Sequence, residues 1–121
     1  MKNIKLILIT IVLFSAFYPA FSQDDKSLIV LVKYKVQPGK DGLAISGLKS
    51  LIDKVKAEPN YVKIILHSDP ADSTNILLYE QWSDADYYKG DHMKTAHLQQ
   101  FMNDSRMFLT GPPEITFWKI D

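Results

Sequence analysis

Residues 61–82 read YVKIILHSDPADSTNILLYEQW, two apolar runs on either side of SDPADST. Tyr61 to His67 and Asn75 to Trp82 are rich in branched and aromatic side chains, while the segment between them supplies the Asp, Pro and Ser that turns favour. The pair therefore reads as an antiparallel hairpin with a longer loop. Along the second run, period two puts Ile76, Leu78, Glu80 and Trp82 on one side and Leu77, Tyr79 and Gln81 on the other. Both sides are substantially apolar, so this strand needs cover on two faces.

Working outward, Leu28 to Val36 (LIVLVKYKV) begins as a continuous apolar run and ends alternating, the pattern of another strand covered on both faces. After the QPGKDG punctuation, Asp41 reads as an N-cap, and Ala44, Leu48, Leu51, Ile52 and Val55 recur at helical spacing until Pro59-Asn60 ends the helix. Downstream of the hairpin, Ser83-Asp84 reads as a cap for a helix from about Ala85, and a second helical stretch runs from Thr95 to about Phe108. Gly111-Pro112-Pro113 stops it, and Glu114 to Ile120 alternates as a last strand. The order β-α-β-β-α-β predicts an α+β, ferredoxin-like fold: a four-stranded antiparallel sheet with helices on one face. A large apolar sheet face is rarely left in water. The expectation is a homodimer in which two copies pack sheet against sheet around an enclosed pocket, so that the helix-free face is both interface and binding cavity.

The chain opens MKNIKLILITIVLFSAFYPAFSQ, with Lys2 and Lys5 ahead of a short apolar run from Leu6 to Phe14. Pro19 and the small residues of Ala20-Phe21-Ser22 complete the pattern of a signal peptide cleaved after Ser22, which predicts an exported protein, periplasmic or secreted. The apolar run is about half of the roughly 20 residues that span a bilayer, so no membrane anchor is expected after cleavage. Gln23 to Ser27 is a short polar start, and residues 28–121 form a single domain. The mature chain carries 12 basic and 14 acidic residues, a formal charge of −2, with Lys and Arg dispersed. Nucleic acid, which demands a clustered positive field, is not an expected partner. With no Cys, neither a disulfide nor a thiolate metal site is available.

The stretch KAEPNYVKIILHSDPADSTNILLYEQWSDADYYKGDHMKTAHLQQF resembles the antibiotic biosynthesis monooxygenase (ABM) family, whose members share an E-x-W strand end followed by H-x-x-T-x-H-x-x-x-F. Those positions here are Glu80, Trp82, His92, Thr95, His97 and Phe101. KYKVQPGK and AEPN also look like the family's first strand and first helix end, so the resemblance covers about Leu28 to Phe101. It implies a dimeric α+β barrel. For characterised members it implies oxidation of quinols or polycyclic phenols by O₂ without metal, flavin or other cofactor, while some relatives bind and degrade haem. In the oxidation the substrate carries the chemistry: once deprotonated, an electron-rich phenolate or enolate passes an electron to O₂. The protein then has to supply a base, donors for the oxyanion and a dry apolar cavity.

Each part has a candidate, and each candidate also has a packing role. His92 suits the base, because a neutral imidazole titrates near operating pH. Trp82 offers a stacking ring and one N–H donor. Among residues for substrate binding, His97 positions substrate or holds the helical turn with Thr95, and Glu80 orients a His or pairs with a Lys. Phe101 is carried over from the family pattern, and Tyr34 donates into the cavity if its side of the strand faces inward. On one helix His92 and His97, five residues apart, would diverge by about 140°, and no third ligand is near, so no metal site is expected. The first-strand Asn implied for haem-degrading relatives falls on Val32 here, which disfavours that branch. Two readings follow: a cofactor-independent monooxygenase acting on a small aromatic, or a non-catalytic dimeric barrel that binds a hydrophobic ligand.

Overall fold

The computed structural model describes residues 25–121, so the signal peptide predicted over 1–22 lies outside the described residues. The chain runs through β1 (Leu28–Lys35), α1 (Asp41–Val55), β2 (Tyr61–Ser68) and β3 (Asn75–Trp82). It continues through α2 (Ala85–Lys89), a 3₁₀ turn at Asp91–Lys94, α3 (Ala96–Asp104), a second 3₁₀ turn at Ser105–Met107, and β4 (Glu114–Trp118). The four strands form one antiparallel sheet in the order β2-β3-β1-β4, the ferredoxin-like arrangement expected.

The β2–β3 hairpin closes on its own aspartates. Asp69 Oδ1 accepts from the Ala71 amide at 2.9 Å, and Asp72 Oδ1 accepts from the Thr74 amide at 3.0 Å, so two of the loop's backbone donors are satisfied by its own side chains. On α1 the buried residues are the predicted set, Ala44, Leu48, Leu51, Ile52 and Val55. Its N-cap is not Asp41 but Lys40, which makes no side-chain cap; Asp41 is the first helical residue, where its charge complements the helix dipole. The helix ends in a tight turn, with the Ala57 and Glu58 amides donating to the Lys54 and Val55 carbonyls. Asn60 then takes φ 68°, the left-handed conformation that Asn tolerates, and the chain enters β2.

Two side-chain caps break the segment after β3 into pieces. Asp84 accepts from the amides of Asp86 and Tyr87 and starts α2. Thr95 Oγ1 accepts from the Leu98 amide at the start of α3 and donates to the His92 carbonyl at 2.9 Å. The His92 turn and α3 therefore meet at an angle set by one threonine.

Alternate residues of the sheet face the helices: Val30, Val32 and Tyr34 of β1 and Ile76, Leu78, Glu80 and Trp82 of β3 are all buried there. The helix-free face carries Ile29, Leu31, Ile65, Leu77, Tyr79 and Trp118, with Ile65 44% and Trp118 56% exposed. The sequence places the expected pocket on the helix-free face between two subunits; within the single chain, an apolar cavity lies on the opposite, helix-covered face. Period two tells which residues share a face, and both faces of β3 are apolar, so the alternation leaves open which one the helices cover.

Candidate active site

The cavity has a volume of about 290 Å³, close to the lower bound of roughly 300 Å³ for ligand pockets. Most of its wall is aliphatic or aromatic, supplied by Val32, Leu51, Ile52, Val55, Leu78, Leu98 and Phe101. Its polar groups come chiefly from four side chains: Tyr34 on β1, Glu80 on β3, Tyr88 on α2 and His92 in the 3₁₀ turn. All four are more than nine-tenths buried.

Behind His92 stands a residue that the sequence reading did not single out. Glu58, from the AEPN turn after α1, has a side chain only 6% exposed. Its Oε1 accepts from the Tyr87 hydroxyl at 2.8 Å and from His92 Nδ1 at 2.9 Å, and its Oε2 accepts from His97 Nε2 at 2.5 Å. Burial alone would raise its pKa, but the hydrogen bonds from His97, His92 and Tyr87 together outweigh burial and hold it below the usual glutamate value. A carboxylate only accepts, so His92 carries a proton on Nδ1, and the tautomer compatible with this bond has its lone pair on Nε2. Among the described residues Nε2 has no partner, and no buried side-chain N or O is both sealed and unpaired. Nε2 therefore opens on the cavity that His92 lines.

The imidazole is held by rings as well. Tyr88 stacks on it at a centroid distance of 5.0 Å and 25°, and Trp82 lies at 4.6 Å and 49°. Trp82 is fully buried and does not reach the cavity wall; its indole sits among Tyr61, Tyr87, Tyr88 and His92 and donates Nε1–H to Glu80 Oε1 at 2.9 Å. Glu80 thus bonds the tryptophan two residues on, where the sequence suggests that it orients a His or pairs with a Lys. Burial pushes Glu80 up to about 7, against the pull of the Trp82 hydrogen bond and with the Glu58 charge adding to it. Burial also pushes both Tyr34 and Tyr88 up, and the nearby Glu80 charge adds to each.

Tyr34 faces inward, its ring edge-on to Phe101 at 6.2 Å, and both line the cavity. His97 does not: it is joined to the site only through Glu58 and otherwise faces a shallow groove with Lys54 and Asp104. The expected divergence of His92 and His97 assumed one continuous helix. Because Thr95 breaks it, the two imidazoles converge on opposite oxygens of one carboxylate. Among the described residues no group of three His, Asp or Glu side chains is arranged to hold a metal ion, and no helix is long and apolar enough to cross a membrane.

Residues 27–104 match the family model of the antibiotic biosynthesis monooxygenases. The chain belongs to the ABM family. Over 129 aligned residues it is 26% identical to an uncharacterized protein of Synechocystis sp., covering 98% of this chain and 85% of that one. The crystal structure of PA3566 from Pseudomonas aeruginosa superposes with a TM-score of 0.74 at 23% identity, over 83% of this chain and 99% of that one. A conserved protein from Methanosarcina mazei Go1 does so with a TM-score of 0.72 at 18% identity, over 80% and 95% of the respective chains. A crystal structure of an antibiotic biosynthesis monooxygenase gives 0.70 at 17%, over 78% and 98%. At these identities the structural likeness establishes the ABM fold. At family level that fold suggests monooxygenase-like or ligand-binding function. Within this ABM chain, Val32 is buried in the cavity wall, so the first strand presents an aliphatic side chain where the haem-degrading pattern implies an amide.

Proposed function

We propose that the chain is an exported, cofactor-independent monooxygenase that oxidises a small quinol or polycyclic phenol with O₂, His92 acting as the base. The observation that carries this reading is the Glu58–His92 pair, whose bonded Nδ1 leaves Nε2 open to a largely apolar cavity. In the proposed reaction Nε2 takes the phenolic or enolic proton, and Glu58 stabilises the imidazolium that forms. The electron-rich anion then passes one electron to O₂, and the resulting radical pair joins to form a carbon–oxygen bond. Return of the proton and loss of water leave a new carbonyl on the product, one oxygen atom going into it and the other into water. The apolar wall keeps bulk water from the charged intermediates. Glu58 and Trp82 act one layer back, Glu58 on His92 and Trp82 on Glu80, while Tyr34 and Phe101 contribute to the substrate contact surface.

The second reading, a non-catalytic barrel that binds a hydrophobic ligand, is favoured by the predominance of aliphatic side chains in the wall. Haem binding ranks below both, because Val32 offers no amide. The homodimer belongs to this proposal too, supported by the apolar helix-free face, and export is supported by the leader pattern of residues 1–22. Oxygen uptake with a panel of quinols and anthrones separates the two main readings. Uptake above buffer that is lost in His92→Ala is the expected result; uptake equal to buffer, with ligand binding retained, leaves the binding barrel. A haem titration without a shifted Soret band removes the third.

A further inference from the structure

The cavity holds more hydrogen-bond donors than a proton-abstracting base requires. Among the described residues the hydroxyls of Tyr34 and Tyr88 have no hydrogen-bond partner, although both residues are buried and line the same space. Glu80 uses Oε1 for the Trp82 indole, and its Oε2 has no partner among the described residues. Among the described residues no Lys or Arg pairs with Glu80, and the charge that acts on it is another carboxylate, Glu58. Burial beside a like charge and away from cations raises this carboxyl to about 7, so below that pH it carries an O–H to donate. Three oxygen-bound groups from three different elements therefore line one largely apolar space, with His92 beside them.

Because none of these groups is sealed, all three open on the cavity, where a ligand that excludes water has to accept from them. A ligand that accepts from three O–H groups while presenting a proton to a base is a ketone with an activated α carbon: the carbonyl oxygen takes the donors and the α C–H meets His92 Nε2. We propose that this cavity catalyses oxygen-independent keto–enol tautomerisation of small cyclic ketones, with Tyr34, Tyr88 and the carboxyl of Glu80 holding the carbonyl oxygen and His92 moving the proton. In the forward step the C–H bond breaks to Nε2, its electron pair becomes the C=C bond of the enolate, and the carbonyl π pair moves onto the oxygen held by the donors. The imidazolium returns the proton to oxygen or to carbon, and nothing is oxidised. The donors act at the atom where charge develops, in a site shielded from water, which is where such groups lower a barrier most. This activity shares His92 with the oxidation proposed above and stands without its oxygen step.

The test uses the full chain in oxygen-free D₂O with 2-tetralone, whose C1 protons flank both a ring and a carbonyl, and follows loss of the C1 signal by proton NMR. Exchange well above buffer is expected. Tyr34→Phe and Tyr88→Phe, which delete one hydroxyl each and keep the ring, should slow it by up to about 10²-fold, the cost of losing one such donor. His92→Ala should return it to the buffer rate, with folding checked by circular dichroism. Wild-type exchange no faster than buffer, or both phenylalanine variants at the wild-type rate, overturns the inference. Quinol-driven oxygen uptake without ketone exchange overturns it while leaving the oxidation standing. Exchange without oxygen uptake upholds it and removes the oxidation.

Discussion

Replacing Glu80 with Gln should stabilise the protein at alkaline pH and not at acid pH. Glu80 is 6% exposed, and burial raises its carboxyl from the ordinary 4.5 to about 7. Because the folded value is the higher one, the stability associated with this carboxyl is fully present below pH 4.5 and is lost as the pH rises through about 7. Between those limits the unfolded chain releases the proton and the folded chain retains it. At about 1.4 kcal/mol per pH unit, the loss is about 3 kcal/mol by pH 8, a large share of the roughly 5–15 kcal/mol that holds a domain together. Gln has the same shape and keeps an oxygen for the Trp82 indole, yet it does not ionise. Urea unfolding followed by tryptophan fluorescence at pH 4.5, 6 and 8 measures the difference between the two proteins, in which all other titrating groups cancel. The variant should be close to wild type at pH 4.5 and about 3 kcal/mol more stable at pH 8. A difference constant within about 0.5 kcal/mol over that range would refute the claim that Glu80 is held neutral by its surroundings.

Glu58→Ala should cost about 3–5 kcal/mol, because it leaves three donors facing a buried gap, and it should show as a lower urea midpoint. Since the folded pKa of Glu58 lies below its ordinary value, the stability it supplies is present above that value and lost as the pH falls through the folded one; the variant should therefore lose less stability on acidification than wild type does. Wild type should sediment as a dimer at micromolar concentration, and Tyr79→Glu with Ile65→Lys, on the helix-free face, should yield a folded monomer. A wild-type monomer would remove the sheet-to-sheet packing.

The candidate site divides into residues that local pattern could find and residues that it could not. His92, Glu80, Phe101 and Tyr34 stood out through motif position or strand alternation, and all four line the cavity. Trp82 stood out equally, yet it stands behind the wall: an indole fills the fully buried layer and sends its one N–H to Glu80. Glu58 gave no periodic signal at all. It sits in a Pro-ended turn like any solvated glutamate, and its partners at 87, 92 and 97 are separated from it by an entire hairpin.

The sequence alone determined the succession of strands and helices, the residues that share each face, and the cap at Asp84, because side-chain period and capping chemistry act within a few residues. The tertiary structure decided which apolar face the helices cover, and so where the cavity lies. It also decided that a carboxylate from the end of the first helix fixes the tautomer of a histidine 34 residues away. These are consequences of packing, in which free energy depends on groups brought together from distant parts of the chain, and no local pattern carries that information.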